Sequence, residues 1–252
     1  MKSVSSFALL VIILSLSPPV QSQNFYPTTG GELIFSSSNV PFDGDYIDNN
    51  LRFTMFFNTQ QNWHYDFFDN VGMFFGWSIR NVGFMTEDLS QNSGFLEIVQ
   101  GHSDYNKTIK IKRRSYSLGI PLALKIGSFK NDFFFFAGGE YEWMFHYKQK
   151  LFMDDTKYKF TEWASHRVNP LQPSLFGGVQ FPGGIQLKFK YYLDDFLNKS
   201  FTGNDFGYEV DYSAFDQSNI WYISLSFQIG KEDFFDFSES EDTHSTTYEL
   251  RP

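Results

Sequence analysis

The chain has 252 residues, of which 20% are aromatic, with 32 Phe, and its formal net charge is −9. It contains no cysteine, which excludes disulfides, thiolate metal sites and lipidation of a cysteine behind a cleavage site. The acidic balance, with no basic patch in the sequence, argues against nucleic acid as a partner.

The first predicted element is a signal peptide over Met1–Ser22. Lys2 gives a charged start, Phe7–Leu14 a short apolar core, and Pro18-Pro19 break the run ahead of Val20-Gln21-Ser22. The apolar core is shorter than the ~20 residues a membrane-spanning helix needs. The rest divides into a strand-rich region, 31–230, and a tail, 231–252, whose acidic, Ser/Thr-rich composition predicts disorder.

The strands follow from a period of two, which gives each segment two chemically distinct faces. Gly31–Val40 is a weak first strand, followed by the turn-rich Pro41-Phe42-Asp43-Gly44-Asp45. Leu51–Thr59 sets Leu51, Phe53, Met55 and Phe57 against Arg52, Thr54 and Asn58. Val71–Met85 sets Val71, Met73, Phe75, Trp77 and Ile79 against Gly72, Phe74, Gly76, Ser78 and Arg80, and its phase slips near Asn81, which predicts a bulge. Arg113–Gly127 alternates Tyr116, Leu118, Ile120, Leu122, Leu124 and Ile126 with small or polar residues, Lys125 among them. Phe133–Phe152 carries aromatics from Phe133 to Tyr147 on its odd face and Gly138, Glu140 and Glu142 on its even face. Leu171–Phe181 and Ile185–Asp194 form a hairpin about Pro182-Gly183-Gly184. The last strand alternates Trp221, Ile223, Leu225, Phe227 and Ile229 with Tyr222, Ser224, Ser226 and Gln228.

Large residues on one face and small or charged ones on the other, in strand after strand, is the pattern of a barrel with lipid outside and polar groups inside. The prediction is an all-β fold: an eight-stranded antiparallel up-and-down transmembrane β-barrel. Thr86–Lys112, Met153–Pro170 and Asn198–Asn219 would be long extracellular loops, and Gln60–Asn70, Ser128–Asp132 and Pro182–Gly184 the periplasmic connections. The mean hydropathy of −0.32 is compatible with this, because only every second strand residue would face lipid.

The inward parity gathers Arg52, Arg80, Lys125, Lys188 and Lys190 against Glu140, Glu142 and Asp194. Eight strands leave room only for side chains to fill the interior, and buried opposite charges should pair there. Two readings follow: a closed, salt-bridged plug, or a narrow pore preferring anions because cations outnumber acids. A cluster of Glu140, Glu142, Lys188 and Lys190 with Arg80 or Arg52 is the expectation carried forward. An enzymatic reading would need a histidine beside a nucleophile, and the candidates are His102-Ser103-Asp104, Ser165-His166 and His146. No metal or cofactor motif is present in the sequence, so catalytic, metal and cofactor sites are expected to be none.

Three strings carry a resemblance: Lys112-Arg113-Arg114-Ser115-Tyr116-Ser117-Leu118-Gly119-Ile120-Pro121, Gly177-Gly178-Val179-Gln180-Phe181, and Lys188-Phe189-Lys190-Tyr191-Tyr192-Leu193. With the signal peptide, they make the chain resemble the small, porin-like outer-membrane β-barrel proteins of the Bacteroidetes lineage. The resemblance implies the outer membrane of a Gram-negative bacterium, with outer-membrane lipids and the barrel-assembly machinery as partners. It says little about activity, and a structural role, or binding of a periplasmic or surface protein through the tail or loops, is the expectation. Many such barrels end on an aromatic residue that the assembly machinery recognises. Here 22 residues follow Gly230, so that signal is expected to be internal, around Phe227-Gln228-Ile229.

Overall fold

The computed structural model describes residues 25–42, 45–46, 49–89, 102–104, 107–153 and 156–230. The predicted signal peptide and the acidic tail lie outside the described residues.

Eight long antiparallel strands close into a ring: β1 (Phe25–Ser38), β2 (Thr59–Phe68), β3 (Val71–Leu89), β4 (Thr108–Ser128), β5 (Phe133–Met153), β6 (Leu171–Phe181), β7 (Ile185–Tyr192) and β8 (Ile220–Gly230). Each pairs with its sequence neighbours, and β8 closes on β1 from Thr28↔Gly230 to Ser38↔Ile220. Closure leaves no free edge in the ring. Alternation along β4 is uninterrupted, with Ile120, Leu122 and Leu124 exposed by 55–67% and Gly119, Pro121, Ala123 and Lys125 turned inside.

The two ends of the ring differ. At one end the connections are Asp69-Asn70, a one-turn helix at Phe129–Asn131, and Pro182-Gly183-Gly184. Gly183 and Gly184 have φ of 83° and 80°, and a Cβ on Gly184 would lie 2.1 Å from the Gln228 carbonyl, so this turn requires glycine there. Asp132 accepts from Gly184 N at 3.1 Å and Gln180 Nε2 at 2.9 Å, tying two of these turns together. At the other end the connections are long.

Several predicted boundaries are corrected. The second barrel strand is Thr59–Phe68, a segment read from sequence mostly as a periplasmic connection. Its inward residues Gln60, Asn62 and His64 are polar, and its outward residues Gln61, Trp63, Tyr65 and Phe67 include no aliphatic, so the usual contrast is missing. Arg52–Thr54 is a three-residue strand that continues it against the outer end of β1. No bulge occurs at Asn81, because β3 pairs β4 in one register from Val71↔Ile126 to Leu89↔Thr108. The apparent slip comes from Val82 and Phe84, which face inward into an apolar region rather than a polar one. The bulge lies instead on β5, where Tyr116↔His146 is followed by Ser117↔Met144 and Phe145 is the extra residue. Beyond it the phase inverts, so Tyr147, expected outside, is fully buried inside.

The expected loops are also more ordered than their composition suggests. β3, β4 and β5 run past the ring, and Thr156–Trp163, within the expected loop Met153–Pro170, folds back on β5 as an eight-residue strand. Residues 193–219 fold over the mouth on that side. Phe196, Leu197, Val210, Tyr212 and Phe215 pack there against Phe84, Ile111, Tyr147 and Leu151.

Candidate functional site: the filled lumen

The interior has three layers. Nearest the short turns, Phe74, Ala123, Phe134, Phe136 and Phe176 form an apolar plug. The Lys125 ammonium sits beside it, 4.2 Å from the centre of the Phe129 ring, paired with Asp66 at 2.6 Å and donating to the Tyr26 hydroxyl at 2.7 Å. Nearest the long connections is the apolar cap already described. Between them lies a charged layer.

That layer is built by alternation on five strands. β1 supplies Glu32, β3 Ser78 and Arg80, β5 Glu140 and Glu142, β7 Lys188, Lys190 and Tyr192, and β2 Gln60. Arg80 is its hub. Its Nε donates to Glu32 at 2.7 Å, Nη1 to Glu140 at 2.5 Å, and Nη2 to Gln60 at 3.1 Å. Lys188 pairs with Glu32. Lys190 bridges Glu140, at 2.7 Å, and Glu142. The Tyr192 hydroxyl donates to Glu142 at 3.0 Å, and Ser78 accepts from Arg80 and donates to Glu140, each at 2.5 Å. Three carboxylates meet three cations, each side chain at most 4% exposed. The layer is therefore neutral, hydrogen-bonded and buried, the arrangement in which buried ions are tolerable. Gly119 faces it so closely that a Cβ would lie 2.1 Å from Glu140 Oε1. The space left between the charged layer and the Phe plug is about 10 Å³, the scale of a single water.

Of the residues expected to form one cluster, Arg80, Glu140, Glu142, Lys188 and Lys190 are brought together. Arg52 is not among them. It lies nearer the long connections and donates to the Asn81 carbonyl at 3.1 Å and the Asn81 side chain at 2.6 Å. Lys125 belongs to the separate pair near the short turns. Asp194 is a correction: β7 ends at Tyr192, the chain bends, and Asp194 is exposed outside the lumen. Two acids were overlooked. Glu32 has the parity that turns it inside, opposite Leu33 and Phe35, and applying alternation to the first strand would have found it. Asp66 lay in the segment read as a connection. With Glu32 in place the central layer is balanced, and Arg52 and Lys125 lie outside it, Lys125 paired with Asp66.

The cap has its own polar ties. Arg167 donates to Glu162 at 2.7 Å and Asp205 at 2.8 Å, while Tyr212 donates to Asp205 at 2.9 Å. Tyr208 donates to Asp104 at 2.5 Å, and burial followed by that carboxylate pushes its pKa up to about 12. Two of the histidine candidates, His102 and His166, are exposed. His102 faces Asp104 at 3.5 Å, His146 lies on the outer face against Trp163, and the Ser165 hydroxyl donates to Glu162. Among the described residues no group of three or more His, Asp or Glu is placed to hold a metal ion.

No protein-family profile and no curated protein matches the sequence. Among solved structures, the fold is similar to Neisserial surface protein A at 8% identity and a TM-score of 0.34, covering 81% of this chain and 96% of that one. The outer membrane protein OprG from Pseudomonas aeruginosa matches at 11% identity and a TM-score of 0.33, covering 82% and 93%. Ail, the attachment invasion locus protein of Yersinia pestis, matches at 11% identity and a TM-score of 0.29, covering 82% and 100%. These superpositions are loose, and the assignment as an eight-stranded antiparallel β-barrel rests on the closed strand register of the chain itself.

Proposed function

We propose that the chain is an integral outer-membrane barrel of a Gram-negative bacterium with a closed lumen, acting as a non-catalytic structural or partner-binding protein. The observation that carries this is the inside-out distribution of side chains. Leu122, Leu124, Leu175, Leu187, Phe189, Leu225 and Phe227 form an exposed apolar belt, while the fully buried set includes Arg80, Lys125 and Lys190. A soluble barrel would lose free energy on both counts; in a bilayer the belt needs no further burial. Aromatic rims support the same placement: Tyr65, Phe67, Phe68 and Phe133 near the short turns, and Phe56, Phe57, Trp143 and Trp163 near the long connections.

In this reading the long connections face the cell exterior and the cap is the surface that meets a partner. The signal peptide delivers the chain across the inner membrane, the barrel-assembly machinery inserts it, and outer-membrane lipids cover the belt. The resemblance to small Bacteroidetes barrels belongs to this proposal and rests on the strand strings around Arg113–Pro121 and Lys188–Leu193. Fractionation of cells expressing the full chain tests the placement. The protein should stay with outer membranes through carbonate and high-salt washes, and its recovery in the soluble periplasm would contradict the reading.

A further inference from the structure

The sequence holds no long basic run, and its net charge is −9. Folding nevertheless assembles a basic surface, which corrects the expectation that none exists. It lies on the outward face of the tall sheet where β4, β5 and Thr156–Trp163 rise above the ring. Pairing places Lys112, Lys150 and Lys159 directly opposite one another across three strands. The row below aligns Arg114, Lys148 and Thr161; the row above aligns Lys110, Phe152 and Lys157. Facing cross-strand residues have Cβ atoms about 5 Å apart, and like charges in that position destabilise a sheet.

Among the described residues the one carboxylate paired with this face is Glu87, 2.6 Å from Lys110. Among the described residues no ion pair involves Lys112, Arg114, Lys148, Lys150, Lys157 or Lys159. A shallow cleft of about 400 Å³ opens on the same face between Glu87, Thr108, Lys110, Lys112 and Phe152. The location is specific. The row beneath Arg114, Lys148 and Thr161 is Tyr116, His146 and Trp163, and beneath that the aliphatic belt begins with Leu118. The basic rows thus continue the apolar belt upward, on its lipid side, from an aromatic rim.

We propose that this face binds the phosphate groups of anionic lipid headgroups in the outer leaflet, a phosphorylated glycolipid in chemical class. The proposal rests on the membrane placement argued above. The apolar belt and the basic rows share one surface, so a lipid whose chains lie along Leu118 and Leu122 would present its phosphates at the height of Lys112, Lys150 and Lys159. A soluble polyanion would not need the basic rows to adjoin the belt. Cationic side chains beside an anionic lipid surface each add to affinity, and the bound phosphates would relieve the repulsion among the three lysines.

The test is native mass spectrometry of the full mature chain in detergent. It is titrated with bis-phosphorylated lipid A, with the same lipid after phosphate removal, and with a heparin fragment. Wild type should retain the phosphorylated lipid over the dephosphorylated one, and Lys112→Gln with Lys150→Gln and Lys159→Gln should lower that retention at least about tenfold. Thr161→Lys, which completes a third cationic position in its row, should raise it; this variant keeps the proposal testable if the triple variant does not fold. Equal retention of both lipids, no change in either variant, or tighter binding of heparin than of lipid A would overturn the proposal while leaving the barrel in its membrane. Recovery of the chain in the soluble periplasm would remove the placement itself, a distinct failure.

Discussion

Arg80→Ala is expected to cost about 3–5 kcal/mol of folding stability, the typical effect of removing one partner from a buried charge network. The change deletes the hub that meets Glu32 and Glu140 and leaves three carboxylates facing Lys188 and Lys190 alone. One negative charge then stays in a buried interior without a counterion. Urea titration of the barrel folded into vesicles measures this. The account makes a sharper demand on the double variant Arg80→Met with Glu140→Gln. It restores charge balance, so its cost should fall well below the sum of the two single costs, because the residues are in contact and act as a unit. Additive costs would mean that the layer is not the coupled network its geometry describes.

The second large effect concerns the outer face. Leu122→Arg, Leu187→Arg or Leu225→Arg should each cost about 2–4 kcal/mol where the position lies near the bilayer midplane. These leucines are 44–55% exposed in the isolated barrel, so the same change on a water-facing surface would be close to neutral. Arginine at Thr161, above the Tyr116–His146–Trp163 row, should cost about 0–1 kcal/mol. Lys188→Gln gives a contrasting result: no penalty against lipid, but a loss through Glu32, whose carboxylate would keep Arg80 as its remaining cation. Equal tolerance of Arg at Leu122 and Thr161 would contradict the membrane belt.

Much of this fold was legible because lipid and lumen impose opposite chemistry on alternate residues. Leu118–Ile126 and Ile185–Tyr191 read directly as one apolar and one polar or small face, and so did the inward placement of Arg80, Glu140, Glu142, Lys188 and Lys190. The rule failed where that contrast fades. Gln60–His64 carries polar residues inside and no aliphatics outside, so the second strand looked like a connection. Val82 and Phe84 face inward but are apolar, because the cap fills the outer lumen with a hydrophobic core; there a change in what occupies the interior mimicked a change of phase. Phe145 inserts one residue into β5, and nothing local in Trp143–Tyr147 marks it, since every neighbour is equally suited to either face. The basic surface escaped notice for a different reason. Its cations are spread over Lys110–Arg114, Lys148–Lys150 and Lys157–Lys159, and only the pairing of three strands brings them together.

Single-channel recording in a planar bilayer tests the central claim, a lumen closed by a neutral charged layer between two apolar plugs. The wild-type barrel should insert and stay electrically silent. Glu140→Gln with Glu142→Gln, which leaves Arg80, Lys188 and Lys190 facing Glu32 alone, should either abolish insertion or produce measurable openings. Stable, long-lived conductance steps from the wild-type protein would contradict the closed lumen.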